Sequence, residues 1–319
     1  MTGPVAHHHL SALGELGRRI ADTTSFEEVV DATLLGLDEL FGYRHSMLLV
    51  HQLESDRLVT LAARGYAGGG VGSEVALGTG VIGMAAANRR PMRIGNLQRM
   101  LLYARTVHRS VDDGGPTSPE IRLPGLPLAR SQLAAPMMAR GALIGVVVVE
   151  SETALAFDDS DEQALAVVAH LAGGALDREQ AAATSEADTG AAAVSVSEPA
   201  AAAAPADPTS RPTARLRHYV VDGSTFIDDD YLIKGVAGRL LWKVVAEHLA
   251  TGRNAFTNRE ARLDPALELP PFRDNFESRL ILLKRRLDER QAPVRIVSAG
   301  RGRFELRVDA DIVLERVAG

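Results

Sequence analysis

A stripe of apolar residues opens the chain at helical spacing: Leu10, Leu13, Leu16 and Ile20. A second amphipathic run follows over residues 26–41, and Ser25 with Glu28 forms the capping-box pattern that begins a helix. Residues 46–53 and 57–64, "SMLLVHQL" and "RLVTLAAR", are rich in strand-forming residues on either side of a short polar turn. The pattern therefore predicts two helices followed by a β-hairpin.

A glycine-punctuated segment, "LGTGVIGMAAANRRPMRIGN", comes next and predicts a turn, a short helix and a further strand. After an irregular middle, "SQLAAPMMARGALIGVVVVES" predicts two strands about a turn at Arg140 and Gly141. A closing helix is expected to begin near Ser160, whose spacing to Gln163 suits a capping box. Helices and antiparallel strands in this order predict an α+β domain over residues 9–180.

The next segment, residues 181–206, has a different composition: 13 of its 26 residues are Ala, and none is Leu, Ile, Phe, Tyr or Trp. It has nothing to anchor a core, and Pro199 and Pro205 interrupt it. We interpret residues 181–215 as a disordered Ala/Ser/Pro linker. A partly helical run is the alternative, because Ala is the strongest helix former.

Residues 216–319 are predicted to form a second domain. In it, "HYVVDGSTFIDDDYLIKG" contains short strands, and "VAGRLLWKVVAEHLATG" is a helix that Gly252 ends. Thr257 caps a short helix, Pro270 and Pro271 precede a longer one, and "VRIVSAGRGRFELRV" alternates as a hairpin. Strands, three helices and a terminal hairpin form the element order of a winged helix.

Charge divides the chain in the same place. The formal net charge is -6, but residues 1–210 hold 15 Lys and Arg against 25 Asp and Glu, whereas residues 211–319 hold 20 against 16. Seven of those cations fall within residues 284–303, which end in an Arg-Gly-Arg turn. The two parts are therefore expected to contact different partners, and the cationic one favours a polyanion.

The chain has no cysteine, which removes disulfides, thiolate metal sites, cysteine nucleophiles and thioether attachment of a chromophore. No stretch approaches the roughly 20 apolar residues of a spanning helix, and no Walker, Gly-x-Ser-x-Gly or His-Glu-x-x-His motif is present. His7, His8 and His9 do not build a caged metal site and are interpreted as a frayed end. We therefore expect a cytoplasmic protein that is not an enzyme, holds no metal and contacts no membrane.

The two glycine-containing segments quoted above, together with the closing helix, resemble a GAF domain over about residues 9–180. The resemblance implies an antiparallel sheet with helices on one face and a small-molecule pocket on the other, beneath the irregular segment. It also implies dimerisation through the first and last helices. The opening apolar stripe is then joined by four residues of the last helix: Leu165, Val168, Leu171 and Leu176. We expect a homodimer that binds a small-molecule effector.

On this resemblance, residues 97–130 occupy the place where the family closes its pocket, and Tyr103, Arg105 and His108 are the polar candidates for ligand binding. If the segment is helical, Arg105 and His108 share a face and can bind an anion, or His108 can ligate a haem iron. The alternative is that Tyr103 packs while Arg105 and His108 face solvent. The bilin-binding and methionine sulfoxide reductase members of the family need cysteine, so both are excluded here.

The second domain resembles the winged helix-turn-helix of OmpR-type response regulators over about residues 217–309. The resemblance rests on "YLIKGVAGRLLWKVVAEH", on "LLKRRLDE" at the end of the third helix and on "VRIVSAGRGRFEL" as the wing. It implies that the third helix enters the major groove of DNA and that the wing reaches the minor groove. Six arginines are then the predicted contacts with double-stranded DNA: Arg273, Arg279, Arg285, Arg286, Arg301 and Arg303.

One position of the third helix leaves two interpretations open. Four apolar residues are taken as its buried stripe: Phe276, Leu280, Leu283 and Leu287. This choice places Ser278, Leu282 and Arg285 on the outer face, where Leu282 either contacts a thymine methyl or marks a protein contact. The sequence thus predicts a one-component transcription regulator whose GAF domain senses a small molecule and whose winged helix binds operator DNA. The alternative is a non-enzymatic sensory adaptor whose winged helix binds protein.

Overall fold

The computed structural model describes residues 4–97, 121–189, 211–269 and 276–318. The chain divides into two compact units, Met1–Glu179 and Gln180–Gly319. No helix in these described ranges combines the length and the apolar character needed to cross a bilayer.

The first unit contains helices on both sides of one sheet. Its helices are α1 (Pro4–Ala21), α2 (Phe26–Phe41), α3 (Gly80–Asn88) and α4 (Asp159–Thr189). Its strands are β1 (His45–Gln52), β2 (Arg57–Arg64), β3 (Glu74–Ala76), β4 (Met92–Ile94), β5 (Ser131–Ala139) and β6 (Ala142–Ser151). The order of helices and strands confirms the α+β prediction for this part of the chain.

The six strands form one antiparallel sheet in the order β3-β2-β1-β6-β5-β4. Side chains alternate between its two faces. Met47 and Val148 lie on the face that packs against Val81 and Ile82 of α3. The opposite face packs against α2, which contacts β1 and β2 and is itself covered by α1. The sheet is therefore buried on both sides, which explains the run of valines in β6.

Local signals fix the ends of these elements. The Ser25 side chain accepts a hydrogen bond from the Glu28 N–H at the start of α2, and Gly42 ends that helix with a φ of 73°. The turn between β5 and β6 has Arg140 at φ 49° and Gly141 at φ 76°. Positive φ at both central residues gives the turn that matches the twist of a hairpin. Both predicted hairpins of this unit are confirmed.

The chain around residue 181 departs from the predicted linker. Helix α4 continues to Thr189, so residues 181–189 are helical, and the next strand begins at Thr213 rather than after residue 215. The reason is compositional, because Ala favours the helix and neither Gly nor Pro occurs between residues 175 and 189. Residues 190–210, which hold the prolines of the predicted linker, lie outside the described residues.

The prediction of a frayed N-terminal end at His9 is wrong. His9 is buried within α1, its ring centroid lies 5.9 Å from that of Phe41, and its Nε2 lies 3.4 Å from the Asp161 carboxylate. Tyr43 donates a hydrogen bond to the same carboxylate at 2.5 Å. Asp161 lies in the first turn of α4, so this contact joins the first and last helices within the unit.

Most of the apolar stripe from which the homodimer is predicted is buried inside the first unit. Leu16, Ile20, Leu165, Val168 and Leu176 are all buried. Leu13 is half-buried, and two members remain on the surface, since Leu10 is 67% exposed and Leu171 is 38% exposed. The homodimer stays a prediction. The apolar surface that supports it is smaller than the sequence pattern indicates.

The second unit has two small sheets around three helices. Its helices are α5 (Gly235–Thr251), α6 (Asn258–Leu263) and α7 (Phe276–Glu289), with a 3-10 turn at Pro265–Leu267. Its strands are β7 (Thr213–Tyr219), β8 (Thr225–Ile227), β9 (Asp230–Ile233), β10 (Ala255–Thr257), β11 (Val294–Ser298), β12 (Arg303–Val308) and β13 (Asp311–Val317). One sheet has the order β13-β7-β8-β9 and the other β10-β12-β11.

The predicted strands, three helices and hairpin are all present in this unit. Thr257 caps α6 in a complete capping box with Glu260, and β11 pairs with β12 as an antiparallel hairpin. The sequence pattern does not predict strand β13, which follows the hairpin. This strand returns to pair in parallel with β7 along its whole length.

The outer face predicted for α7 is wrong. Leu282 is only 4% exposed and Ser278 is also buried, whereas Leu280, a member of the predicted buried stripe, is half-buried. Helix α7 contacts α5, β9, β11 and α6, so it is covered on several sides rather than along one stripe. Neither the thymine-methyl contact nor the protein contact predicted for Leu282 is available while the helix is packed in this way.

Candidate functional site

Three polar side chains cross the middle of the first unit's sheet in one row. The register pairs His45 of β1 with Glu150 of β6, and Glu150 with Gln132 of β5. Directly paired residues share a face of the sheet, and the next row on that face is apolar, with Met47 and Val148 among its members. The row therefore lies on the α3 side of the sheet, at the edge of an apolar core.

The Glu150 carboxylate is the centre of this row. It is 6% exposed, and each of its oxygens accepts one hydrogen bond. The Gln132 side-chain N–H donates to Oε1 at 2.7 Å, and the backbone N–H of Leu126 donates to Oε2 at 3.0 Å. A carboxylate oxygen has two lone pairs, so each oxygen keeps capacity for one further donor.

Tyr66 follows β2 and completes the group. Its ring lies edge-on to the His45 ring, with centroids 5.8 Å apart. Its hydroxyl is buried and makes no hydrogen bond of regular geometry with the described residues, although it lies close enough to the Glu150 carboxylate for each group to shift the pKa of the other. Burial and the charge of Glu150 raise the pKa of Tyr66, so the hydroxyl stays protonated as a donor. We call Glu150, Gln132, His45 and Tyr66 the Glu150 cluster.

The chain after residue 120 covers this cluster. A Cβ on Gly70 would meet Pro124 at 2.4 Å, and a Cβ on Gly72 would meet Ile121 at 2.9 Å. Glycine at both positions of the β2–β3 connection thus allows residues 121–126 to approach closely and to bring the Leu126 N–H onto Glu150. The cluster is enclosed by the sheet below and by this segment above.

Burial raises the pKa of Glu150, although the hydrogen bonds from Leu126 and Gln132, the Tyr66 hydroxyl and the nearby His45 oppose the shift. A folded-state pKa above the unfolded value means that the folded state binds more protons, so this group's stability contribution falls as pH rises through the folded pKa. We therefore expect Glu150→Gln to be more stable than the wild type at pH 7, with a difference that vanishes below about pH 4, under the unfolded pKa of Glu.

Urea unfolding of both proteins across this pH range, followed by circular dichroism, measures the difference. The amide introduced by Glu150→Gln can keep both hydrogen bonds if Gln132 turns its own amide over. Glu152→Gln is the matched control, because Glu152 is exposed two residues away, and no pH-dependent difference is expected for it. A stability difference that grows towards low pH would contradict the assignment of a raised pKa to Glu150.

The predicted ligand-binding residues are not among those that the structure places here. Tyr103, Arg105 and His108 lie outside the described residues, so their role, including haem ligation by His108, stays a prediction. Sequence reasoning missed the Glu150 cluster. The available signal was a single acidic residue after four valines in a strand whose composition indicates burial on both faces, "VVVVE".

A second candidate site is the outer face of the β11–β12 hairpin. Arg295 lies directly opposite Arg307, and Arg303 lies on the same exposed face of β12. Arg301 is exposed in the turn, where Gly300 and Gly302 have φ of 99° and 69°. The inner face is the apolar core of the unit, formed by Val294, Ile296, Phe304 and Leu306. The strand alternation thus displays cations on the solvent side alone.

The arginines on the two strands are only partly neutralised by ion pairs. The Arg295 guanidinium lies 2.5 Å from the Asp309 carboxylate, and half-buried Glu305 shares the face. No ion pair of Arg303 or Arg307 is formed with the described residues. Like charges directly opposite one another destabilise a strand pair, so an Arg295–Arg307 pair is more favourable when an anion binds there.

The structure separates the six predicted DNA contacts into different environments. Arg301 and Arg303 are exposed, Arg285 is half-buried, and Arg273 lies outside the described residues. Arg279 and Arg286 are each 5% exposed, which contradicts their assignment to a DNA-facing surface. The Nε of Arg286 donates to the Leu232 carbonyl at 2.9 Å, and its Nη1 lies 2.6 Å from the Glu289 carboxylate. Arg286 therefore ties α7 to β9.

Comparisons with known proteins agree with the fold of the first unit. The family model described as GAF domain matches residues 23–177. No curated protein matches the chain.

Several solved structures are similar to the chain at low identity. A free methionine-R-sulfoxide reductase from Neisseria meningitidis, in complex with its substrate, is 22% identical, with 57% of this chain and 96% of that chain covered and a TM-score of 0.44. The GAF domain of an Acinetobacter phosphoenolpyruvate-protein phosphotransferase is 19% identical, with 54% and 94% covered and a TM-score of 0.44. Residues 122 to 287 of a methyl-accepting chemotaxis protein are 21% identical, with 52% and 98% covered and a TM-score of 0.39.

The family match covers the six-stranded sheet, the α3 side with its Glu150 cluster and nearly all of the first unit except α1. It agrees with the resemblance drawn from the glycine-containing segments and the closing helix. Residues 23–177 of this chain are therefore a GAF domain, the fold of ligand-binding sensory domains.

Proposed function

We propose that the chain is a one-component transcription regulator in which the GAF domain binds a small-molecule effector and the second unit binds duplex DNA. The observation that carries the DNA half of the proposal is the exposed arginine face of the β11–β12 hairpin. The order of strands, three helices and hairpin in the second unit supports it, because a winged helix-turn-helix uses the same order.

We assign to the hairpin most of the DNA contacts that the sequence pattern predicts for the third helix. Four cations lie on or at the end of its outer face, whereas two of the four arginines assigned to the helix are buried. Lys284 and Arg285 of α7 remain half-buried and can add phosphate contacts at their tips. Binding is therefore expected to be mainly electrostatic and strongly dependent on salt.

Replacing Arg301, Arg303 and Arg307 together with Ala is expected to weaken binding to any duplex and to lower its salt slope. Each neutralised phosphate contributes about 0.9 to the slope of log K against log salt, so the loss is expected to reach about 3. Fluorescence anisotropy of the full chain on a selected operator and on a random duplex, at several salt concentrations, measures this slope.

Arg316→Ala is the control, because Arg316 is exposed on β13 in the other sheet of the same unit. It is expected to change the slope by less than about 1, the contribution of a single phosphate contact. A wild-type chain that binds neither duplex at low salt would remove the DNA half of the proposal.

The second candidate is a sensory adaptor whose second unit binds protein. It is favoured by the burial of Arg279 and Arg286 and by the half-buried Leu280 on the accessible side of α7. DNA indifference combined with a stable protein complex would support this function over the first. In both proposals the effector binds on the α3 side of the GAF sheet, and the absence of enzymatic activity stays a prediction.

A further inference from the structure

The Glu150 cluster concentrates acceptors around one buried carboxylate. Glu150 and Gln132 are 6% and 7% exposed, and no Lys or Arg of the described ranges forms an ion pair with Glu150. His45, which is half-buried, is the one basic side chain in its cross-strand row. A buried carboxylate is stable when a cation or several donors compensate it, and the donors present here are all uncharged: a neutral amide, a backbone N–H and the close Tyr66 hydroxyl.

The remaining hydrogen-bond capacity shows which partner is missing. The two Glu150 oxygens together have four acceptor sites, of which Gln132, the Leu126 N–H and the close Tyr66 hydroxyl occupy at most three. The Tyr66 hydroxyl is buried, and its oxygen accepts no hydrogen bond from the described residues. A ligand that donates N–H groups and carries positive charge satisfies the remaining acceptor sites of Glu150 and Tyr66, whereas an anion would be repelled by the carboxylate.

The apolar surroundings add a second requirement. Beside the row lie Met47 and Val148 of the sheet and Ala85 of α3, all fully buried. Side chains packed against this core are only partly buried, among them Leu97 and Leu123. Such an environment suits a ligand with an apolar body and one polar head.

We propose that the effector of the GAF domain is a small organic cation, an ammonium or a guanidinium, whose N–H groups bind Glu150. This inference rests on the proposed sensory role and names the chemical class that it detects. Within the cluster, Gln132 and the Leu126 N–H orient the carboxylate. Tyr66 and the apolar core enclose the cationic head and exclude water from it.

Methylammonium and methylguanidinium chloride are the probes, each added to the full chain at about 10 mM, where a ligand of so few atoms reaches useful occupancy. N-methylurea is the neutral comparison, acetate is the anionic one, and sodium chloride matches the ionic strength. At tenfold excess over Kd the cations are expected to raise the Tm of the GAF transition by about 3 °C.

Glu150→Gln is expected to lose this shift, and the exposed control Glu152→Gln is expected to keep it. Equal shifts in the wild type and Glu150→Gln, or equal shifts from methylurea and methylguanidinium, overturn the proposal. So does a wild type that neither cation stabilises. The two cation arms distinguish an ammonium head from a guanidinium head.

If Glu150→Gln does not fold, Glu150→Asp carries the test. It keeps the charge but withdraws it by one methylene, so the shift is expected to fall to less than half, and an unchanged shift overturns the proposal. DNA binding by the chain without any probe is measured separately by anisotropy. Failure of the cation proposal is therefore distinguishable from failure of the regulator proposal.

Discussion

Replacing Arg286 with Ala is expected to lower the unfolding free energy of the second unit by about 3 kcal/mol, the scale for removing one partner of a buried hydrogen-bonded charge pair. The side chain donates to the Leu232 carbonyl and lies against Glu289, and its Nη2 is 3.5 Å from the Tyr231 carbonyl. Its loss leaves buried backbone acceptors and a carboxylate without their donor. Burial also lowers the pKa of Arg286, consistent with a guanidinium largely withdrawn from water.

The measurement is simple because the chain has one Trp. Trp242 lies on α5 in the second unit, stacked on His218 with ring centroids 5.3 Å apart, so its fluorescence during urea unfolding reports on this unit alone. Arg286→Lys is expected to recover little, because an ammonium cannot donate in the fixed fork of a guanidinium.

Arg285→Ala is the matched control for this change. The neighbouring arginine is half-buried rather than buried, and a loss below about 1 kcal/mol is expected for a partly solvated side chain. Equal losses for Arg285→Ala and Arg286→Ala would show that Arg286 does not tie α7 to β9.

The sequence could not assign the faces of α7 because residues 280–283 are four consecutive apolar residues, "LILL". A helix pattern of that kind is compatible with several stripes, and the choice through Leu280 leaves Leu282 and two arginines on the wrong side. Which faces of α7 are buried depends on the number of elements packed around the helix. On one side, β9 provides carbonyl acceptors for Arg286. Such acceptors come from another element of the tertiary structure, so the spacing of residues along the helix does not predict them.

The GAF domain is easier to predict because its strands and turns carry local signals. Both hairpins, the Ser25 cap and the positive-φ turn at Arg140 and Gly141 follow from short-range chemistry. The Glu150 cluster does not, because its members are brought together by strand order rather than by spacing. Residue 45, residue 132 and residue 150 become neighbours only after β6 is inserted between β1 and β5.

The second large effect on stability is expected at Gly145 in the middle of β6, where this strand passes very close to its neighbours β1 and β5. A Cβ there would lie 2.0 Å from the Leu49 carbonyl oxygen of β1 and 2.7 Å from the Met137 side chain. Contacts below 3.0 Å with backbone cannot be relieved by a rotamer change, so β1 and β6 would have to separate. Gly145→Ala is therefore expected to lower the unfolding free energy of the GAF domain by about 3 kcal/mol or more, at the upper end of overpacking costs.

Scanning calorimetry of the full chain tests this prediction, with Trp242 fluorescence as an internal reference for the second unit. Gly174→Ala is the control, because an added Cβ on this exposed residue of α4 meets no atom within 4 Å. Alanine in place of glycine in a helix is expected to stabilise by about 0.5–1 kcal/mol. Opposite signs for the two substitutions in the same domain are the expected result. A neutral Gly145→Ala would mean that β1 and β6 are not held at the separation that also sets His45 beside Glu150.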